Sequence, residues 1–219
     1  DHSAGLRLNG ALSIAETKGR WQELQRQATT AQLYDVDVRI LDKNQIKKNY
    51  PIINTDEVIG GILMPGDGAA DPSGVTHMLA KGARMEGAQI FEKSPVEEIL
   101  IKDGKISGVK VNGQTIKCEY IVLASGMWSR QIAEKVGVSV PLYPAEHFYI
   151  ITEPIENLSN TLPVIRDFDN STYIKEDAGK ILVGIFEGKS IPAFDKTNIV
   201  PDDFSFGEFP ENFEHFDPY

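Results

Sequence analysis

The sequence predicts a mixed α/β fold, and three observations carry that reading. The run Glu119-Tyr-Ile-Val-Leu-Ala-Ser-Gly126-Met-Trp-Ser-Arg130 reads as a buried strand that breaks at a glycine and turns directly into a helix. The crevice beyond the carboxyl end of such a strand is where open α/β sheets bind nucleotides. Between Val96 and Cys118, three apolar runs are joined by Asp103-Gly104 and Asn112-Gly113. Both dipeptides suit the type I′ turns that match strand twist, so this stretch is a β-meander. Ahead of it, Asp71 can cap a helix, Pro72 pre-sets its first φ, and Gly87 can take the left-handed exit.

The remaining elements follow in order. Leu6 to Ala15 reads as a strand. Thr17 with Arg20, Trp21 and Leu24 starts a helix whose apolar face runs Trp21, Leu24, Ala28, Ala31. Val36 to Ile40 alternates as a short strand, Asp42 caps a brief helix that stops before Pro51, and Val58 to Met64 is another apolar strand. Pro65-Gly-Asp-Gly68 is a turn. The helix after Asp71 presents Val75, Met78, Leu79 and Gly82 on one face, with Gly74, Gly82 and Ala83 small enough for close approach to a sheet. Ala88 to Phe91 reads as the strand that follows, and Trp128 to Val136 as a helix ending at Gly137. Beyond Val140 the pattern turns β-rich, with strands near His147–Thr152, Tyr173–Lys175 and Ile181–Phe186. Arg166 could bind a carboxylate bidentately, but by this reading it falls in a loop, paired with Asp167 or Asp169. The segment past Ser190 is aromatic and acidic without clear periodicity, and Asp217-Pro218 reads as a cap awaiting a helix.

Composition narrows the function. The chain has 219 residues, long enough for one large domain or two small ones, with a formal charge of −10. That balance argues against nucleic acid, whose phosphates require clustered Lys and Arg. No apolar run approaches the roughly 20 residues of a membrane span. Asp1-His-Ser-Ala-Gly5 carries neither the basic start nor the apolar block of a secretory signal. The lone Cys118 cannot form an internal disulfide, which suits a reducing compartment, and it reads as a buried inert thiol. His2, His77 and His215 are scattered without metal-ligand spacing. Asp202, Asp203 and Glu208 read as a solvated acidic tail.

Four segments carry a more specific resemblance: Asn9 to Ala15, Pro65-Gly-Asp-Gly-Ala-Ala-Asp-Pro72, Ala124-Ser-Gly-Met-Trp-Ser-Arg130, and Pro144-Ala-Glu-His-Phe-Tyr-Ile-Ile-Thr-Glu-Pro154. With Leu162 to Asp167 and Phe213 to Pro218, they resemble the dimethylglycine dehydrogenase and sarcosine dehydrogenase family of the D-amino-acid-oxidase superfamily. The resemblance implies part of a glutathione-reductase-type FAD domain (residues 72–137) with its β-meander. It also implies a β-rich substrate domain in two parts (1–71 and 138–219). The Gly-x-Gly-x-x-Gly unit that binds the FAD pyrophosphate in that family is not found here. Gly66-Asp-Gly68-Ala-Ala-Asp71 imitates only its first half and reads as a turn and cap. The chain is therefore expected to be an internal piece of a longer enzyme.

The family reaction is oxidation of an N-methyl group with FAD, the protein binding and orienting a small N-methyl amino acid. The resemblance implies active-site roles for His147 and Tyr173. An imidazole can take the ammonium proton of the substrate, and a phenol can hydrogen-bond to it. Read without the resemblance, both are ordinary strand-surface side chains. For the cofactor, the resemblance places Val96 where a strand backbone reads the adenine edge, and Ala124, Ser125 and Gly126 in the turn against FAD. Trp128 stands beside that turn, with core packing as its plainer role. Tetrahydrofolate is implied only for a further domain that many relatives append. The expected compartment is the cytoplasm, or the mitochondrial matrix in a eukaryote. Two alternatives stay open: another FAD amine or amino-acid oxidase, and a non-catalytic binding module without FAD.

Overall fold

The computed structural model describes residues 5–194 and 199–219; His2 and most of the amino-terminal pentapeptide lie outside the described residues. In chain order, β1 (Ala11–Ala15), α1 (Lys18–Gln32), β2 (Arg39–Leu41), α2 (Lys43–Asn49), β3 (Gly60–Met64) and α3 (Pro72–Met85) come first. They are followed by β4 (Val96–Lys102), β5 (Lys105–Val111), β6 (Gln114–Ile116) and α4 (Ser129–Glu134). Last come β7 (Tyr149–Ile151), β8 (Val164–Asp167), β9 (Thr172–Asp177), β10 (Lys180–Ile185) and α5 (Phe213–Phe216). These form two compact units. One comprises Asp1–Ala83, His147–Gly188 and Glu211–Tyr219; the other comprises Arg84–Glu146 and Lys189–Pro210. The fold class is mixed α/β, as the sequence predicts.

The first unit is built on a seven-stranded sheet in the order β2-β3-β1-β8-β9-β10-β7. Only the β1–β8 pairing is parallel. β1 is buried along its whole length, so both of its faces meet core. Leu12 and Ile14 point to one side, where they join Leu63, Ile165 and the α2 residues Ile46 and Tyr50. On the other side Ala15 and Ile62 pack against Leu24 and Ala28 of α1, two of the four residues in its expected apolar stripe. Local chemistry fixes both helix starts. Thr17 accepts the Arg20 N–H, and Asp42 with Gln45 forms a reciprocal capping box.

The second unit holds the β4-β5-β6 meander. Asp103 and Gly104 have φ of 53° and 72°, and Asn112 and Gly113 have 49° and 73°. Left-handed backbone at both central residues is the type I′ turn that these dipeptides predict. A short 3-10 turn at Gly126–Trp128 leads into α4. Gln131 of α4 both donates to the Val200 carbonyl and accepts the Val200 N–H, each at 3.0 Å. Beyond Ser190, Phe194 stands edge-on to Phe204 at 4.9 Å.

The structure corrects several elements. β8, expected as a loop, is a strand because β1 and β9 supply a ladder on each side. Tyr120–Ala124 and Ala88–Phe91, expected as strands, are irregular. A strand needs a partner for its N–H and C=O groups, and none of the described residues pairs with either segment. Tyr120 and Val122 remain 85% and 89% exposed. α3 forms as expected, capped by Asp71 on the Ser73 and Gly74 N–H groups, but Met78 and Leu79 of its apolar face are exposed. The helix at the carboxyl end precedes Asp217: α5 is capped by Asn212, and Asp217 closes it. Cys118 is half-buried rather than buried.

Candidate active site and nucleotide cavity

Residues paired on neighbouring strands project from the same face of a sheet. The registers therefore align Ser13, Arg166, Tyr173, Gly184 and Tyr149 in one row across β1, β8, β9, β10 and β7. α1 covers this face near β1 and β3. Over β8, β9, β10 and β7 it is open, and two adjoining recesses of about 460 and 540 Å³ lie there.

His147 and Tyr173 meet on that open face and line both recesses. His147 Nε2 is 3.3 Å from the Tyr173 hydroxyl. Their rings are nearly parallel, 7° apart, with centroids separated by 6.0 Å. Phe186 closes the cluster, its ring 5.4 Å from His147 and 5.3 Å from Tyr173. Burial pushes the Tyr173 phenol above its ordinary range, and neighbouring Tyr149 adds to the effect. Tyr173 therefore stays protonated and can donate.

Two cations border the recesses. Arg166 donates from Nη2 to Asp67 Oδ2 at 3.0 Å, which replaces the expected pairing with Asp167 or Asp169. Those two carboxylates serve the backbone: Asp167 accepts the Asp169 and Asn170 N–H groups, and Asp169 accepts those of Glu16 and Thr17. Lys175, two residues beyond Tyr173 on the same face, has no ion-pair partner among the described residues. It lines the larger recess with Tyr149, Tyr173 and Asp177. Sequence reasoning missed Lys175, Phe186 and Gly184. The period of two along β9 and β10 points to the first two, whereas Gly184 shows only once the register is known.

The second unit carries a separate cavity of about 980 Å³. Val96, Ala124, Ser125, Gly126 and Trp128 all line it. Ile99, Val109 and Ile132 make much of the rest apolar, and Glu97, Lys135 and Asp202 supply charges at its wall. Asp202 thus has a place beside a cavity rather than in a free tail. Gly126 has φ of 54°, and a Cβ built on it would meet open space. Trp128 donates its indole N–H to the Pro201 carbonyl at 3.1 Å, and Ser125 and Ser129 share a hydrogen bond of 3.1 Å. Among the described residues no three His, Cys, Asp or Glu side chains cluster as metal ligands would. His215 packs against Phe148.

A family model described as "FAD dependent oxidoreductase" (DAO) matches residues 1–213. The chain belongs to the DAO family. Membership in this family implies FAD as cofactor. Among curated proteins, this DAO-family chain is 37% identical over 95% of its length to the 4-methylaminobutanoate oxidase (formaldehyde-forming) of Paenarthrobacter nicotinovorans. It is 33% identical over 95% of its length to human mitochondrial sarcosine dehydrogenase. A third relative, at 29% over 95%, is the mitochondrial pyruvate dehydrogenase phosphatase regulatory subunit of Mus musculus. The matches cover 25%, 23% and 24% of those proteins, so the chain spans about a quarter of the length of the curated relatives it matches. Among solved structures, the L-proline dehydrogenase of P. horikoshii superposes with a TM-score of 0.80 at 26% identity, over 97% of this chain and 54% of that one. No helix among the described residues is long and apolar enough to cross a membrane.

Proposed function

We propose that this chain contributes the amine-binding site and part of the flavin-binding site of an oxidoreductase acting on small N-methyl amino acids. The observation that carries the reading is the contact of His147 with Tyr173 in an aromatic recess on the open sheet face. The names of the bacterial and human relatives support the same substrate class. Dimethylglycine, which the sequence resemblance suggests, is one member of that class.

The protein's own groups divide the work. A substrate amine arrives as an ammonium ion whose lone pair is blocked by a proton. His147, at the recess wall, is the group positioned to take that proton. The Tyr173 hydroxyl oxygen, 3.3 Å from Nε2, accepts a hydrogen bond from the ammonium and fixes the amine beside the imidazole. Lys175, which has no ion-pair partner among the described residues, is the group for the substrate carboxylate. Arg166 is already engaged by Asp67. Phe186 and Val164 supply the apolar wall for the methyl group and keep water away from it.

The cavity of the second unit fits a flavin nucleotide. Its apolar lining suits flat rings, Glu97 and Asp202 can accept ribose hydroxyls, and the Ala124–Gly126 turn leaves space where a side chain would otherwise stand. Val96, Ala124, Ser125, Gly126 and Trp128 would hold that group. When bound, FAD supplies the two-electron acceptor for the methyl carbon–hydrogen bond. Tetrahydrofolate, as a one-carbon acceptor bound elsewhere in the full-length protein, belongs to the same proposal.

The test is anaerobic mixing of the full-length protein with sarcosine, dimethylglycine or 4-methylaminobutanoate. Bleaching of flavin absorbance by at least one of them is expected. A flavin-loaded protein that none of them bleaches overturns the reading. The mouse relative named as a regulatory subunit favours a second reading, a binding module without turnover. A colourless full-length protein supports that one.

A further inference from the structure

We infer that Gly184 is a positioning residue of the amine site: its missing side chain lets Tyr173 lie flat across β10 and deliver its hydroxyl to His147. The register places Gly184 directly opposite Tyr173 on one side and opposite Tyr149 on the other. Side chains on opposed strand positions ordinarily stand side by side, roughly perpendicular to the sheet. Tyr173 does otherwise. A Cβ built on Gly184 would overlap Cε1, Cζ and the hydroxyl oxygen of the Tyr173 ring. The phenol therefore occupies the volume that any other residue at position 184 would fill.

This arrangement solves a problem of reach. His147 lies at the start of the β7 segment, and β10 runs between β7 and β9. Two strand spacings amount to about 9.6 Å, too far for an upright tyrosine to cross. A ring laid over the intervening strand crosses it, and the 3.3 Å contact with Nε2 results. Gly184 has no left-handed φ, so its backbone conformation is open to any residue. Glycine also weakens a strand interior. Space for the ring is the reason for glycine here.

The geometry stands by itself, but its catalytic meaning rests on the proposed function. The test is a double-mutant cycle in the full-length, flavin-loaded protein, using Gly184→Ala, Tyr173→Ala and both together. Gly184→Ala alone is expected to raise KM for the N-methyl amino acid about tenfold, the cost of one displaced hydrogen bond to a charged partner, with a smaller change in kcat. Added to Tyr173→Ala, it is expected to do nothing further, because the ring it displaces is gone. An equal effect of Gly184→Ala in both backgrounds overturns the inference, as does an unchanged KM in the single variant when Tyr173→Ala is impaired. If Tyr173→Ala itself leaves the kinetics intact, the proposed function fails instead. Should Gly184→Ala not fold, the double variant decides. Recovery of folded, flavin-loaded protein supports the overlap, and failure to recover overturns it.

Discussion

Arg166 and Asp67 form an ion pair of 3.0 Å beside the open face of the large sheet, and the pair removes Arg166 from the set of free cations there. Lys175 is left at the larger recess, which Asp177 also lines, with no ion-pair partner among the described residues. Lys175→Met, which keeps the length and apolar stem of the side chain, is therefore expected to raise KM for sarcosine about tenfold or more. An amide of the same N-methyl amino acid, which lacks the carboxylate, should show little change. Steady-state kinetics with the acid and the amide check this. Equal loss with both removes Lys175 from carboxylate binding.

His147 is the group assigned to the amine proton. His147→Ala should slow flavin reduction by about two orders of magnitude or more, the usual scale for a lost general base, and should flatten the pH dependence of that step. Stopped-flow absorbance at several pH values is the measurement. An unchanged rate and profile would show that the imidazole only packs against Tyr173 and Phe186.

His147 and Tyr173 are named by the family resemblance, whereas what the residues themselves disclose is local. Turn and cap chemistry is written within a few residues: Asp103-Gly104, Asn112-Gly113, Asp42 with Gln45, and Asp71 all do what their short-range pattern requires. Ladder formation is not local. β8 hides behind Pro163 because its partner β1 lies some 150 residues earlier, and Tyr120–Ala124 has the composition of a strand without a neighbour to pair with. Lys175 and Phe186 face the site by simple alternation from Tyr173 and along β10. The Tyr173–Gly184 relationship was illegible because one residue of slip in the β9–β10 register would place a different side chain under the ring.

Glu176 offers a test of the scaffold beneath the site. Its side chain is only 2% exposed; Oε1 accepts the Gly179 N–H at 2.8 Å and Oε2 the Arg7 guanidinium at 2.6 Å. The Gly179 hydrogen bond, with Arg7 adding to it against the cost of burial, holds the carboxyl below the usual range. A depressed carboxyl contributes stability that is present above its unfolded value and is lost as pH falls through the folded value. At pH 7 Glu176→Gln should therefore cost about 2 kcal/mol. The gap between wild type and variant should narrow as pH drops below the ordinary glutamate range. Thermal unfolding from pH 7 to pH 3 follows both, and a gap that stays constant would assign the effect to packing instead of charge.

Gly126 allows the proposed cofactor cavity to be probed without disturbing its backbone. Its φ of 54° strains alanine or valine, whereas asparagine visits this region readily. A Cβ there meets open space among the described residues, so Gly126→Asn can be seated without its Cβ displacing a neighbour. If FAD lies against the Ala124–Gly126 turn, Gly126→Asn in the full-length protein should fold normally yet bind flavin at least tenfold more weakly, because the new side chain stands where the cofactor approaches. Flavin content after desalting and the unfolding temperature of the flavin-free protein are read together. Normal folding with full flavin content would take Gly126 out of the cofactor site, and equal loss of folding and flavin would trace the effect to the turn itself.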